Sequence, residues 1–183
     1  MILDRDGVIN QMVIHPDHGT IDSPLHSDQV ALLPGVIEAI RQFNQLGFTV
    51  SIATNQPAAA KGKTTRANLE AVHAKILHLL QEGGAKIASS HICWHRAEDH
   101  CACRKPKPGL LEAALRMHGA VAADSWMVGD GVTDIEAGAS LGMRTVFLGP
   151  SKCDLCKCLE SRGLKPNFRL DSLPQFVQNL AAR

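Results

Sequence analysis

Short apolar runs alternate with stretches of helical period along most of the chain, the order expected of an α/β fold built on a parallel sheet. Runs at 1–3, 49–53, 87–93, 125–128 and 144–148 have strand length, and a weaker one lies at 168–170. Apolar residues spaced three and four apart predict helices over 35–46, 64–81, 108–117, 133–141 and 172–181. The first and third open at or beside a proline, and Gly47 and Gly142 stand where helix stops belong. Three segments carry no clear period: 10–33, 99–107 and 150–166. The first is long for a loop inside a compact domain, where such loops are usually functional or mobile.

With 183 residues, the chain is long enough for one domain spanning 1–183 to bury about two thirds of its unfolded surface. No repeat, low-complexity tract or Pro/Gly/Ser-rich linker divides it. Its 19 basic and 18 acidic side chains leave a net charge of +1, which excludes a broad electrostatic footprint for nucleic acid or an anionic membrane. Any anion is met locally. No apolar run approaches the ~18 residues of a membrane span, and no basic-then-apolar export segment is present. The expectation is a cytoplasmic, monomeric protein acting on a small molecule, with neither nucleic acid nor membrane as partner.

In open parallel sheets, functional groups gather beyond the carboxyl ends of the strands. Asp4, Thr54, Arg104 with Lys105, and Asp130 all lie at or just after such ends, so one site can collect them. Asp4 suits a carboxylate nucleophile that forms an aspartyl-phosphate. Asp6, two residues on, is placed to protonate the leaving oxygen and later to activate water. Asp130 in M-V-G-D-G-V-T-D would complete an oxygen-rich Mg²⁺ site with Asp4 and a backbone carbonyl contributed at Asp6. Asp134, one helical turn later, would orient that ligand or its waters. Taken singly, D-x-D-G and G-D-G are turn signals, Thr54 is a helix cap and Lys105 is a solvated cation. In combination, and in order at strand ends, they favour phosphoryl chemistry.

The four stretches D-R-D-G-V-I-N, I-A-T-N-Q, C-R-K-P-K-P-G and V-G-D-G-V-T-D-I-E-A-G together resemble the motifs of the haloacid dehalogenase (HAD) superfamily over residues 1–148. The resemblance implies a Rossmannoid three-layer α/β fold with a mainly parallel central sheet, a minimal cap and a zinc-binding loop. It points to the compact branch acting on heptose bisphosphate, with histidinol phosphate as the alternative substrate and a weakly active binding module as a further reading. By that resemblance Asp4 is the nucleophile, Asp6 the acid/base, Thr54 and Lys105 stabilise phosphate, and Asn55, Gln56 and Arg104 touch substrate. Where the branch commonly has a lysine after the fourth-motif aspartate, this chain has Gly131. Its D-H-G loop is kept as Asp17, His18 and Gly19, followed by Thr20 rather than an aromatic residue. Lys61 and Lys63 offer cations for a distal phosphate, and Asp17, Asp22 and Asp28 offer carboxylates for an amine.

Six cysteines fall in two groups. Cys93, His95, Cys101 and Cys103 form a C-x-H and C-x-C arrangement, three thiolates and one imidazole that would close a tetrahedral, structural Zn²⁺ site. Such a clip would pin the loop carrying Arg104 and Lys105. His100 is the rival ligand to His95. Cys153, Cys156 and Cys158 lack a fourth partner and are read as free thiols.

Overall fold

The computed structural model describes residues 1–16, 19–149 and 154–181, with side chains described at all of these except 154–157. Its strands are β1 (Ile2–Leu3), β2 (Val13–His15), β3 (Thr20–Asp22), β4 (Ser51–Asn55), β5 (Ser89–Cys93), β6 (Trp126–Gly129), β7 (Arg144–Leu148) and β8 (Phe168–Leu170). Its helices are α1 (Val36–Gln45), α2 (Arg66–Glu82), α3 (Gly109–His118), α4 (Val132–Ser140), α5 (Asp154–Ser161) and α6 (Leu173–Ala181). The main sheet runs β5-β4-β1-β6-β7-β8, with every neighbouring pair parallel.

Successive strand residues point to opposite faces of a sheet, and the two helical layers sort the core accordingly. Leu3, Ile52, Val128 and Val146 pack with α1, α2 and α6. Ile2, Ala53 and Met127 pack with α3 and α4 on the other side. Strands covered on both faces read as continuous apolar runs, which is how they stand out in the sequence. Helix boundaries follow local chemistry: Thr65 Oγ1 accepts the Asn68 amide at 3.1 Å to open α2, and left-handed Gly119 closes α3.

Two elements depart from the sequence expectation. The 10–33 segment contains an antiparallel hairpin, β2 against β3, and the 150–166 segment contains α5. The hairpin is short, and Ile14 and Ile21 pair across it on its exposed face, so it has no buried alternation for a pattern to report. The α5 helix buries Leu159 against Ile135 and Phe147, with Leu164 packed beside them, in a segment otherwise rich in cysteines and charges. Among the described residues no helix is long and apolar enough to cross a membrane.

An aromatic cluster ties the sheet to its outer helices. The Phe176 ring of α6 lies 5.1 Å from Trp126, 5.7 Å from Phe43 and 5.8 Å from Phe168, centroid to centroid. Removing a fully buried ring loses its transfer energy and leaves a cavity, so Phe176→Ala is expected to cost about 3–5 kcal/mol of unfolding free energy. Urea unfolding measures this; a loss below about 1 kcal/mol would mean that the cluster collapses around the gap.

Candidate active site

β1 lies between β4 and β6, and the chain crosses to opposite sides of it, so a crevice opens at this switch point. Register makes the strand ends level: Leu3 is aligned with Ile52 and with Val128. Asp4, Thr54 and Asp130 therefore emerge beside one another. The Asp4 amide donates to the Val128 carbonyl at 2.9 Å, fixing the first residue beyond β1. Directly after the opening motif, Gly7 adopts φ +81°, and a Cβ there would stand 2.0 Å from Asp130 Oδ2. Only glycine allows that turn to pass the Asp130 carboxylate.

Asp4, Asp130 and Asp134 offer oxygens that all lie within 4.8 Å of one another. Lys105, almost completely buried, answers part of this charge, with Nζ 2.9 Å from Asp4 Oδ1, 2.6 Å from Asp134 Oδ1 and donating to the Ala53 carbonyl at 2.7 Å. Burial works to lower the Lys105 pKa, but the Asp134 and Asp4 carboxylates overcome it and hold the ammonium above the usual lysine range. Burial pushes Asp130 up to about 8, helped by the charges of Asp4 and Asp134. Asp4 is pushed up to about 6, again chiefly by burial and against the pull of Lys105. Three acids and one ammonium leave an excess of buried negative charge on an all-oxygen donor set. That set fits a hard divalent cation such as Mg²⁺. Asp134 has its other oxygen engaged by the Gly131 amide at 3.0 Å, which leaves Asp4 and Asp130 as the carboxylates to hold the ion.

The Asp6 side chain is not part of this group. Its carboxylate sits on Arg5, Asn10 and Gln56, so a backbone carbonyl is the group with which Asp6 would meet the ion. Of the residues expected to touch substrate, Gln56 is completely buried, its amide donating to Asp6 and, at 2.9 Å, to Thr54 Oγ1. It orders the site from beneath. Asn55 lines the cavity but is clamped to the Lys105 peptide, donating to its carbonyl and accepting its amide, each at 3.1 Å. Arg104 donates to the His95 carbonyl at 3.3 Å and lines a neighbouring basic cleft with Arg96, His100 and Lys107. Nothing in the motif spacing signals these inward turns, because they depend on side-chain partners supplied by other loops.

The cavity, about 200 Å³, is lined by Asp4 and Asp130 together with Met12, Asp22 and Ser23 of the hairpin region. Asp22 accepts from Lys63 Nζ at 2.6 Å. Burial would raise its pKa, but the Lys63 hydrogen bond, the Ser23 amide and the Lys63 and Lys61 charges together outweigh that and hold it below the usual range. Sequence reading named both residues without joining them. Asp17, His18 and Cys153 lie outside the described residues, as does the side chain of Cys156; Cys158 is an exposed free thiol on α5.

Cys93, His95, Cys101 and Cys103 converge beside this cavity. Sulfur–sulfur separations are 3.3 to 3.7 Å, and His95 Nδ1 lies 3.6 Å from Cys93 and 3.3 Å from Cys103. Ligands 2.3 Å from a tetrahedral zinc stand roughly 3.8 Å apart, so the donors fit Zn²⁺ with little adjustment. His100, the rival ligand, lies outside the group. Burial pushes the Cys93 thiol up to about 12; the more exposed Cys101 is also raised by desolvation, but the Arg104 amide and its neighbouring thiols bring it down to about 7.

The HAD-hydrolase-like family model matches residues 102–175. D-glycero-beta-D-manno-heptose-1,7-bisphosphate 7-phosphatase of Pseudomonas putida is 37% identical over 180 residues, covering 98% of each chain. The crystal structure of D,D-heptose 1,7-bisphosphate phosphatase from B. bronchiseptica, complexed with magnesium and phosphate, superposes with a TM-score of 0.83 and 32% identity, over 100% of this chain and 97% of that one. The histidine biosynthesis bifunctional protein HisB of Legionella pneumophila is 36% identical over 152 residues, 83% of this chain but 41% of its own length.

The acidic cluster sets a pH dependence. Asp4 and Asp130 titrate near 3.8 when unfolded but at about 6 and about 8 when folded, so the folded form keeps its protons longer. The stability this confers is fully present below the unfolded value and is lost as pH rises through the folded ones. A bound divalent cation relieves the same repulsion. Magnesium is therefore expected to raise the melting temperature more at about pH 8 than at about pH 5; equal shifts at both, by calorimetry, would contradict the charge argument.

Proposed function

The chain belongs to the HAD-like hydrolases, and from that membership we propose that it is a phosphomonoesterase removing the 7-phosphate of D-glycero-beta-D-manno-heptose 1,7-bisphosphate. The observation that carries the reading is the meeting of Asp4, Asp130 and Lys105 around one cavity, in a chain matching that enzyme along nearly its whole length. All of the groups come from a single chain, which suits a monomer acting as one domain over 1–183. Free thiols at Cys93, Cys101 and Cys103 suit a reducing cytoplasm.

In this reading Asp4 attacks phosphorus as the bond to the leaving oxygen breaks. Its Oδ1 is committed to Lys105 and, at 2.7 Å, to the Arg5 amide, which leaves Oδ2 for the attack. Asp6 gives a proton to the leaving oxygen. Water then attacks the aspartyl-phosphate, passes a proton back to Asp6, and the Asp4 carboxylate is released with inorganic phosphate. Lys105, held charged, neutralises phosphoryl oxygens together with the Thr54 hydroxyl. Bound by Asp4, Asp130 and a backbone carbonyl, Mg²⁺ would supply further neutralisation of the transferred group. Asp134 keeps Lys105 in place. The Cys93, His95, Cys101 and Cys103 site would hold a structural Zn²⁺ that fixes the loop bearing Lys105.

Histidinol phosphate is the second reading. The Legionella relative and the Asp22 carboxylate on the cavity wall favour it, although Lys63 already neutralises that carboxylate. With Mg²⁺ present, kcat/KM for the heptose bisphosphate is expected to exceed that for histidinol phosphate, and the reverse order would exchange the two substrates. Asp4→Asn should lower turnover roughly 10⁴-fold or more; residual activity near wild type would remove the nucleophile. Metal analysis should find one zinc per chain, lost in Cys103→Ser together with most activity. A native protein free of zinc would leave the loop without its clip.

A further inference from the structure

Arg5 stands between the two acids of the opening motif and has no part in the steps above beyond its backbone amide. Its guanidinium is completely buried. Taking such a charge out of water is costly unless it is paired and hydrogen-bonded. The partner is Asp6. Nε lies 3.3 Å from Oδ1, and Nη2 lies 3.1 Å from Oδ1 and 3.0 Å from Oδ2, so the fork spans both carboxylate oxygens. Asn10 Nδ2 adds a donor to Oδ1 at 2.9 Å, and Gln56 Nε2 adds one to Oδ2.

Arg5 forms no other ion pair among the described residues. From α2, His73 presents a buried ring with neither nitrogen hydrogen-bonded among the described residues. Burial and then the Arg5 charge push its pKa down to about 4, so this neighbour is neutral and adds no second cation beside the guanidinium. The acid/base is thus gripped on three sides while one edge still reaches the cavity.

We propose that Arg5 is a positioning residue that fixes the Asp6 side chain at the cavity wall for proton transfer. This rests on the phosphatase reading. A guanidinium spanning both oxygens sets the carboxylate plane as well as its place, which a lysine ammonium does not. Loss of the fork should therefore harm the steps that move a proton through Asp6 and spare the step that does not.

Leaving groups separate the two cases. A sugar alkoxide needs a proton to depart, whereas p-nitrophenolate leaves as the anion. For Arg5→Met with Mg²⁺, kcat/KM for heptose bisphosphate is expected to fall roughly 100-fold, and that for p-nitrophenyl phosphate less than about 5-fold. Hydrolysis of the aspartyl-phosphate still needs Asp6 as base, so rapid mixing should show a burst of about one p-nitrophenolate per chain before a slow steady state. Arg5→Lys should shift both quantities in the same direction. If Arg5→Met does not fold, Arg5→Lys provides the same comparison. A uniform fall for both substrates without a burst, or no change in either, in a folded variant overturns the positioning role. A wild-type chain that hydrolyses neither compound overturns the phosphatase reading instead.

Discussion

The crowding of Asp4, Asp130 and Asp134 within 4.8 Å is the constraint that the rest of the structure serves. Like charges do not gather in a buried place unless something answers them. Lys105 answers part of the charge, and the geometry leaves a divalent cation to answer the remainder. The level strand ends bring Asp4 and Asp130 together, Gly7 lets the turn pass beneath Asp130, and Asp134 is held by its own helix start. Each of these features would be needless without the cluster.

Lys105 reaches the cluster from a loop that has little packing of its own. Two devices hold it. Asn55 binds the Lys105 peptide from the end of β4, and the three-cysteine, one-histidine group gathers the chain on either side. Cys93 is the last residue of β5, so a metal there would join the loop directly to the sheet. The cation of the active site is thus anchored at both its backbone and its ammonium, and its position depends on β4 and β5 as much as on its own segment.

The sheet was legible because buried parallel strands are apolar throughout, and the meeting of Asp4, Lys105 and Asp130 was legible because carboxylates and lysines at strand ends have few structural uses. The hairpin and α5 were not, since the first exposes its apolar pair and the second rests on Leu159. Motif position also predicted where Gln56 and Arg104 begin, but not where they point. Gln56 turns inward to Asp6 and Thr54, and Arg104 turns to the His95 carbonyl. Those directions depend on partners far away in sequence, and one-dimensional spacing does not encode them.

The far wall of the cavity is where this chain differs most from the pattern of its branch. Beside Asp130, Gly131 carries no side chain, and a Cβ at that position would approach Asp134 Oδ2 to 3.0 Å. Asp22 on this wall is paired with Lys63, and Arg104 turns to a carbonyl in the neighbouring cleft. The Lys63 and Asp22 side chains are both partly exposed, so their ion pair sits in a wet, screened setting and contributes little stability. The ion pairs of Lys105 are buried and held from several sides, whereas the Lys63–Asp22 pair meets water and is free to rearrange.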